Sequence, residues 1–295
     1  MSERALSIGI DDGHCETKIV LPNGYYFSIP SQATSEMVNF MSINESEESD
    51  VMRYKTPKGS YIAGNIKQPD ETFFGDYPRS VLNRVIVTHA LCQAGLHKSG
   101  NLKVCTGLPL KRFYIKGKPN KKLILNKMEN LTLDDITPEI DFDFKIVDHR
   151  VFSEGVSAWV DYIVKKNKKG KLTIDPNLLK KNIAIIDIGS RTTDVAVVSD
   201  WKIDSNRSNT FNVGMLNLRS KIFDEIYDDH EVRLTKEQMN SLLKTKRFRL
   251  YGRDMDATIY IKEAERKIVN TIKTQVLSLL GKASDIHEVL FVGGT

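Results

Sequence analysis

The stretch NIAIIDIGSRTTDVAVVSD, residues 182–200, sets an Asp, a Gly, two Thr and a second Asp between two apolar runs. Its pattern predicts a strand over 183–188, a tight turn, and a second strand over 193–199. A strand-turn-strand with Gly at the bend aims successive backbone N–H groups into a concavity that suits phosphate oxygens. The hydroxyls of Thr192 and Thr193 can add donors. A carboxylate at the mouth of such a turn repels bare phosphate, so Asp187 makes sense chiefly with a hard cation in between. Mg²⁺ held by carboxylates, phosphate oxygens and retained waters fits that place.

The pattern occurs twice. IGIDDGHCETKIVL (8–21) laid over IAIIDIGSRTTDVAVV (183–198) shares an apolar strand, an Asp, a Gly two residues later and a second strand soon after. Asp11 answers to Asp187 and Gly13 to Gly189, while Lys18 can reach a terminal phosphate as a point charge. Alone, either Asp-x-Gly is more often a plain turn whose Asp caps its own backbone. The pair, with Thr-x-Asp completing the second, favours phosphate binding. One repeat at a large separation argues for two related domains rather than a solenoid, with both turns gripping a Mg-nucleotide across an interdomain cleft.

Working outward, ALSIGID reads as the first strand through Leu6, Ile8 and Ile10, and TKIVLPNGYYFSIP as two more joined at Asn23-Gly24, a pair that favours positive φ at both residues. A further hairpin turns at Pro57-Lys58-Gly59, after the loop SINESEESD (42–50). PRSVLNRVIVTHALCQAG predicts a helix with Pro78 in its first turn and Gly95 after its last. The strand LKVCTGLP, the basic loop YIKGKPNKK and the strand DFKIVDHRVF follow. SEGVSAWVDYIVKKNKKGK reads as an amphipathic helix, with Val156, Trp159, Val160 and Ile163 on one face, running into a Lys-rich linker. The domain boundary is placed there, giving residues 1–168 and 169–295. The second half continues with a strand at 209–213, helices from Met215 to Tyr227, over TKEQMNSLLKTKRF and over ATIYIKEAERKIVNTIKTQVLSLL, and the strand EVLFVGGT. Strands mixed with long helices make this an α/β protein.

Composition sets bounds. The 295 residues are 40% apolar and 27% charged, as in globular proteins. A net charge of +5 is too weak to argue for nucleic acid by itself. Cys15, Cys92 and Cys105 form no CxxC pair, and an odd count suits a reducing, cytoplasmic setting. No run approaches the roughly 18 apolar residues of a membrane span, and the N-terminus lacks a signal core.

The run Asp187-x-Gly189-x-x-Thr192-x-Asp194 resembles the second phosphate motif of the actin, heat-shock chaperone and sugar kinase superfamily. Asp11-Asp12-Gly13 with Lys18 resembles the first. Within that superfamily the chain is most similar to the bacterial plasmid-segregation actins of the ParM, or StbA, family. IDDGHCETKI, VTHALCQAGL, VCTGLPLKRFY, VFSEGVSAW, NVGMLNLRSKI and VLFVGG carry the likeness, in the family's order and over nearly the whole chain.

The resemblance implies an actin-like fold of two related α/β domains, Mg-dependent ATP hydrolysis with GTP left open, and head-to-tail filaments that segregate a plasmid. Asp11 and Asp187 are implied as the Mg-side carboxylates, and Lys18 as a phosphate contact. Gly13, Gly189, Ser190 and Thr192 become parts of the phosphate turns, with Asp12 and Asp194 beside them. Glu154 falls where the family orients the attacking water. On spacing alone it reads as a helix N-terminal acid behind Ser153, a good N-cap. Gly214 stands where backbone nears the nucleotide, and Gly293-Gly294 where the adenosine-side turn begins. His14 and Cys15 replace the usual small hydroxyl residues of the first turn. The family continues past VGGT with a helix and a return to the first domain, beyond the 295 residues here, and often has a third Gly at the place of Thr295.

Two basic clusters, Lys165 to Lys171 and Lys244 to Arg253, raise direct DNA binding, which would be salt-dependent. The resemblance favours a separate centromere-binding adaptor protein, with the basic surfaces serving subunit contacts or solubility, no direct DNA contact and no membrane. A small-molecule kinase of the same fold and a nonpolymerising actin-like interaction protein are the alternative readings.

Overall fold

The computed structural model describes residues 5–35, 51–66 and 68–293; the expected loop 42–50 lies outside them. The chain divides into two compact units, Met1–Ser157 and Ala158–Thr295.

Unit 1 begins with β1 (Leu6–Asp12), β2 (Glu16–Val20), β3 (Tyr26–Pro30), β4 (Ala33–Ser35), β5 (Val51–Thr56) and β6 (Gly59–Gly64). It continues through α1 (Val81–Leu91), β7 (Gly100–Leu108), α2 (Leu110–Phe113), β8 (Tyr114–Ile115), β9 (Lys118–Pro119), α3 (Lys121–Thr132), β10 (Thr137–Pro138) and β11 (Phe144–Ser153). A five-stranded sheet runs β11-β7-β1-β2-β3, and a four-stranded sheet β10-β5-β6-β4. β1 and β11 lie parallel to β7 on either side of it, so their C-terminal ends share one edge. Alternation in β1 sends Ile8 and Ile10 into a core with Val87, Leu91, Leu102, Val104 and Leu131.

Several expectations change here. The β2–β3 turn is a three-residue loop in which only Gly24 takes a positive φ, 85°. The Leu21 carbonyl accepts from Gly24 N–H, and Leu21 N–H donates to Tyr25 O, each at 2.9 Å. Such a loop needs one left-handed residue, not two. Pro78 sits in a separate 3-10 turn, Tyr77–Arg79, and Ser80 caps α1 by accepting from Asn83 N–H. Gly95, with φ 78°, breaks the helix from inside a π-helical turn, Cys92–Leu96.

The sequence reading has no helix at α3. Asn120 caps it, accepting from Leu123 N–H at 3.3 Å, but its inward face carries Lys127 and Asn130 beside Leu131. Arg84 of α1 donates to Asn130 Oδ1 and pairs with Asp135 at 2.9 Å. A helix that buries polar groups gives no amphipathic signal.

β11 runs into α4 (Glu154–Ile163), and the division between units falls inside this helix. The expected Lys-rich linker is a hairpin, β12 (Val164–Lys166) with β13 (Leu172–Ile174). Its tip is tied by Asn167 Oδ1, which accepts from the N–H groups of Lys169 and Lys171.

Unit 2 then has α5 (Pro176–Leu179), β14 (Ile183–Ile188), β15 (Thr193–Ser199), β16 (Lys202–Ile203) and β17 (Asn209–Phe211). It finishes with α6 (Met215–His230), α7 (Lys236–Thr245), β18 (Arg247–Leu250), β19 (Arg253–Asp256), α8 (Thr258–Leu280) and β20 (Glu288–Gly293). Its sheet runs β16-β15-β14-β20, with β17 also on β15. Residues 183–186 of β14 and 195–198 of β15 are all buried, the mark of strands covered on both faces. The stripe Ile261, Ala264, Ile268, Ile272, Val276 of α8 and the stripe Leu218, Ile222, Ile226 of α6 pack on Ala184, Ile186, Val195 and Val197. Full burial of each Ile is worth roughly 1.5–3 kcal/mol. Trp159 is buried and meets Trp201 edge to face, with centroids 5.1 Å apart.

No described helix is long and apolar enough to cross a membrane, and none of the three cysteines is in a disulfide.

Candidate functional site

Both Asp-x-Gly motifs lie on antiparallel hairpins of the same register. In unit 1, Asp11 pairs with Lys18 and Asp12 with Thr17; in unit 2, Asp187 pairs with Asp194 and Ile188 with Thr193. Each motif stands at the C-terminal end of a strand with parallel neighbours, β1 beside β7 and β14 beside β20. In open α/β sheets that edge is where ligands bind.

In the first turn, Gly13 is required by close approach, since a Cβ there would stand 2.8 Å from Glu16 O. Ser31 Oγ donates to Gly13 O at 2.7 Å, and Ser31 N–H to Cys15 O at 2.9 Å, fixing the turn from β3's end. His14 Nδ1 donates to Thr72 O at 2.8 Å, and Thr72 Oγ1 returns a bond to His14 O at 2.7 Å. The ring stacks near Phe73 and Tyr77, so His14 anchors the turn where a small hydroxyl was expected.

Asp11 and Asp12 point to opposite faces of β1, as the period of two demands. Asp11 is exposed, and its Oδ2 lies 3.4 Å from Lys18 Nζ, with Glu16 Oε2 at 3.8 Å from the same ammonium. Desolvation by surrounding protein, helped by the Asp12 charge, outweighs Lys18 and raises the Asp11 carboxyl above the usual range. Partial burial lowers Lys18, but Asp11 and then Glu16 outweigh it and hold its pKa up.

Asp12 is a correction. Grouped by sequence with the nucleotide residues, it is buried, accepting from Lys127 Nζ at 2.8 Å on Oδ1 and from Asn83 Nδ2 at 2.8 Å on Oδ2. Lys127 also donates to Gly107 O at 2.7 Å. Asp12 therefore anchors a strand end to α1 and α3.

Glu154 opens α4 directly after β11, partly buried. Ser153 does not cap it, because among the described residues Ser153 Oγ has no hydrogen-bond partner. The Glu154 side chain instead lies over Gly107 of β7, where an added Cβ would stand 2.5 Å from Glu154 Cγ. Lys127 and Gly107 are the neighbours that sequence reasoning missed. Gly107 stood in plain view in VCTGLPLKRFY, while Lys127 was hidden in the unread helix.

In unit 2, Gly189 N–H donates to Thr192 O at 2.9 Å, closing the second turn. The Gly189 and Ser190 carbonyls accept from Met215 and Leu216 N–H at 3.1 and 2.8 Å, the first amides of α6. This engages two oxygens that would otherwise repel an anion. Gly214 caps α6 and makes the approach possible, since a Cβ would stand 2.8 Å from Ser190 O and from the Arg191 carbonyl carbon. Its place is thus set first by the turn. Thr193 is a second correction: it is buried and donates to Val213 O at 2.8 Å, leaving Ser190 and Thr192 as the turn hydroxyls.

Asp187 is partly buried, and Asp194 opposite it is 4% exposed. Two carboxyl groups directly across a ladder offer a cation a shared place. Gly293, with φ 90°, lies beside this pair, where a Cβ would come within 2.6 Å of Asp187 Oδ1 and closer still to Ile188 O. Gly294 lies outside the described residues. The structure thus gathers Asp187, the turn 189–192, Asp194, Gly214 and Gly293 in unit 2, and Asp11, Gly13, Lys18 and Glu154 along one sheet edge in unit 1.

No described group of three or more His, Cys, Asp or Glu is arranged to hold a metal ion. Hard carboxylate oxygens offered singly suit Mg²⁺ that keeps several waters and shares phosphate oxygens, rather than an all-protein cage.

Residues 6–165 match the family described as plasmid segregation protein ParM, N-terminal, and residues 185–295 the archaeal actin homologue MreB-like, C-terminal. No curated protein matches the sequence. Among solved structures, the archaeal actin homolog Ta0583 superposes with a TM-score of 0.76 at 17% identity, over 98% of this chain and 87% of that one. Its complex with ADP gives 0.71 at 16%, over 98% and 86%. A 15-stranded ParM filament from Clostridium botulinum gives 0.73 at 20%, over 99% and 89%. With the family match spanning more than half of its length, this chain belongs to the ParM, or StbA, family and has the actin-like fold.

Proposed function

We propose that this chain is a Mg-dependent ATPase that polymerises head to tail into filaments segregating a plasmid, coupled to DNA by a separate adaptor protein. The observation that carries the reading is the repeated hairpin, with one register and a carboxylate-glycine turn at the C-terminal edge of each sheet. Family membership supports it, as do the ParM filament and the ADP-bound actin homologue among the structural neighbours.

In this reading the turns at Gly13 and at Gly189, Ser190 and Thr192 bind phosphate oxygens, and Lys18 adds positive charge. Asp11 and Asp187 would hold Mg²⁺, which when bound would neutralise charge on the phosphates. Gly214 and Gly293 keep side chains away from the nucleotide. Glu154 orients the attacking water and accepts its proton as the water oxygen bonds to the γ-phosphorus and the bond to the β-phosphate oxygen breaks, releasing ADP and phosphate. A head-to-tail contact that does not close yields an open filament, and loss of the γ-phosphate weakens it.

The test is right-angle light scattering on adding Mg·ATP, Mg·ADP or a slowly hydrolysed ATP analogue, with phosphate release followed in parallel. Scattering should rise with ATP and the analogue but not with ADP, then decay as phosphate appears. Steady hydrolysis without scattering would remove the filament and leave an ATPase or kinase. Glu154→Ala should slow phosphate release on the order of 100-fold while assembly persists; unchanged release would remove Glu154 from the mechanism.

A further inference from the structure

Gly107 stands next to the end of β7 with no backbone need for glycine, since it is absent from the residues of positive φ. A glycine inside a strand weakens it, and commonly marks a close approach by something else. Here the three heavy atoms nearest an added Cβ all belong to one side chain: Glu154 Cγ at 2.5 Å, Oε1 at 3.0 Å and Cδ at 3.2 Å. The approach involves the middle of that side chain as well as its tip, so rotating the carboxyl alone would not make room for a methyl group.

The floor under Glu154 is fixed as well. Gly107 pairs with Phe152 of β11 on one side, and on the other follows Thr106, the partner of Ile10 in β1. Its carbonyl accepts from Lys127 Nζ, whose other bond is to buried Asp12. Lys127 and Asp12 have side chains only 2% and 4% exposed, which makes this tether dry and short. β7 lies between β11 and β1, so a carboxylate laid over Gly107 is carried from the end of its own strand towards that of Asp11.

We infer that Gly107 is a positioning residue. Its missing side chain is the slot that sets the direction of the Glu154 carboxylate, and Lys127 holds the slot in place. This rests on the proposed part of Glu154 in hydrolysis.

The test compares wild type, Gly107→Ala, Glu154→Ala and the double variant by phosphate release under Mg·ATP, by Mg·ADP affinity and by urea unfolding. Gly107→Ala should lower kcat on the order of 10- to 100-fold, as expected for a misplaced group, with nucleotide affinity changed less than about threefold (about 0.7 kcal/mol). In the Glu154→Ala background the same substitution should leave kcat unchanged and cost no stability, because the atoms it strikes are gone. Slow Glu154→Ala with normal Gly107→Ala overturns the slot alone. Normal Glu154→Ala overturns the reading of Glu154 and the slot with it. Equal losses from Gly107→Ala in both backgrounds also overturn it. If Gly107→Ala fails to fold, recovery of folding in the double variant supports the slot, and failure of both refutes it.

Discussion

In the first hairpin Asp11 lies across the ladder from Lys18; in the second, the same two places hold Asp187 and Asp194. One residue further on, Asp12 sits where the second hairpin has Ile188. Asp12 is held by Lys127 and Asn83, whereas Ile188 packs against the apolar core of unit 2. The shared feature is therefore the backbone register, and the chemistry that anchors it is different in each unit. The first hairpin sets Lys18 across from its Asp and stands on a buried ion pair; the second sets another Asp in that place and stands on an apolar foundation.

The comparison breaks most visibly at Lys127. Lys127→Met leaves the Asp12 carboxylate buried with only Asn83, and urea unfolding should show a loss of about 3–5 kcal/mol. Combining it with Asp12→Leu imitates the second unit and should recover most of that loss; no recovery would mean that the pair does more than hold the strand end. Next in size, Asp187→Ala should lower Mg-dependent nucleotide affinity by on the order of 100-fold, about 2.7 kcal/mol, in a fluorescent-ADP titration with and without Mg²⁺. Asp11→Ala should cost less, since it frees Lys18 for the phosphates. Equal losses would erase the asymmetry between the two hairpins.

How much of this was legible depends on what each segment buries. The hairpins could be read because an alternating strand in the first, continuous apolar strands in the second and a glycine at each turn are all sequence signals. The interior support was not, because α3 turns Lys127 and Asn130 inward, and the polarity of a buried face looks the same as that of a solvated one. The hairpin at 164–174 hid for a related reason: its exposed Lys residues gave it a linker's composition. Asp12 and Thr193 were chemically apt for phosphate or metal, and only the alternation of the strand decides that they face inward.

Two smaller effects sharpen the contrast. Gly293→Ala would place a methyl group against Asp187 and Ile188 O at a left-handed backbone position; about 1–3 kcal/mol of stability should be lost, together with Mg·ADP affinity. Its counterpart in unit 1 is a pH effect. His149 is buried, Nδ1 donating to Met128 O at 3.2 Å and Nε2 accepting from Thr106 Oγ1 at 2.9 Å. Burial chiefly, with Lys127 adding to it, holds its pKa down to about 4; burial does the same to His89. The unfolded imidazole gains a proton as pH falls through about 6.5 while the folded one stays neutral. Stability from these groups is thus complete above that pH and is lost on the way down to about 4. His149→Gln should reduce that acid loss by about 2 kcal/mol at pH 5, measured by urea unfolding at pH 7 and 5.

The first two amides of α6 are spent on the carbonyls of Gly189 and Ser190. The turn can open only if the helix frays, so the N–H groups of Met215 and Leu216 act as a clock for it: their deuterium exchange reports how often the turn lets go, without a probe on the turn itself.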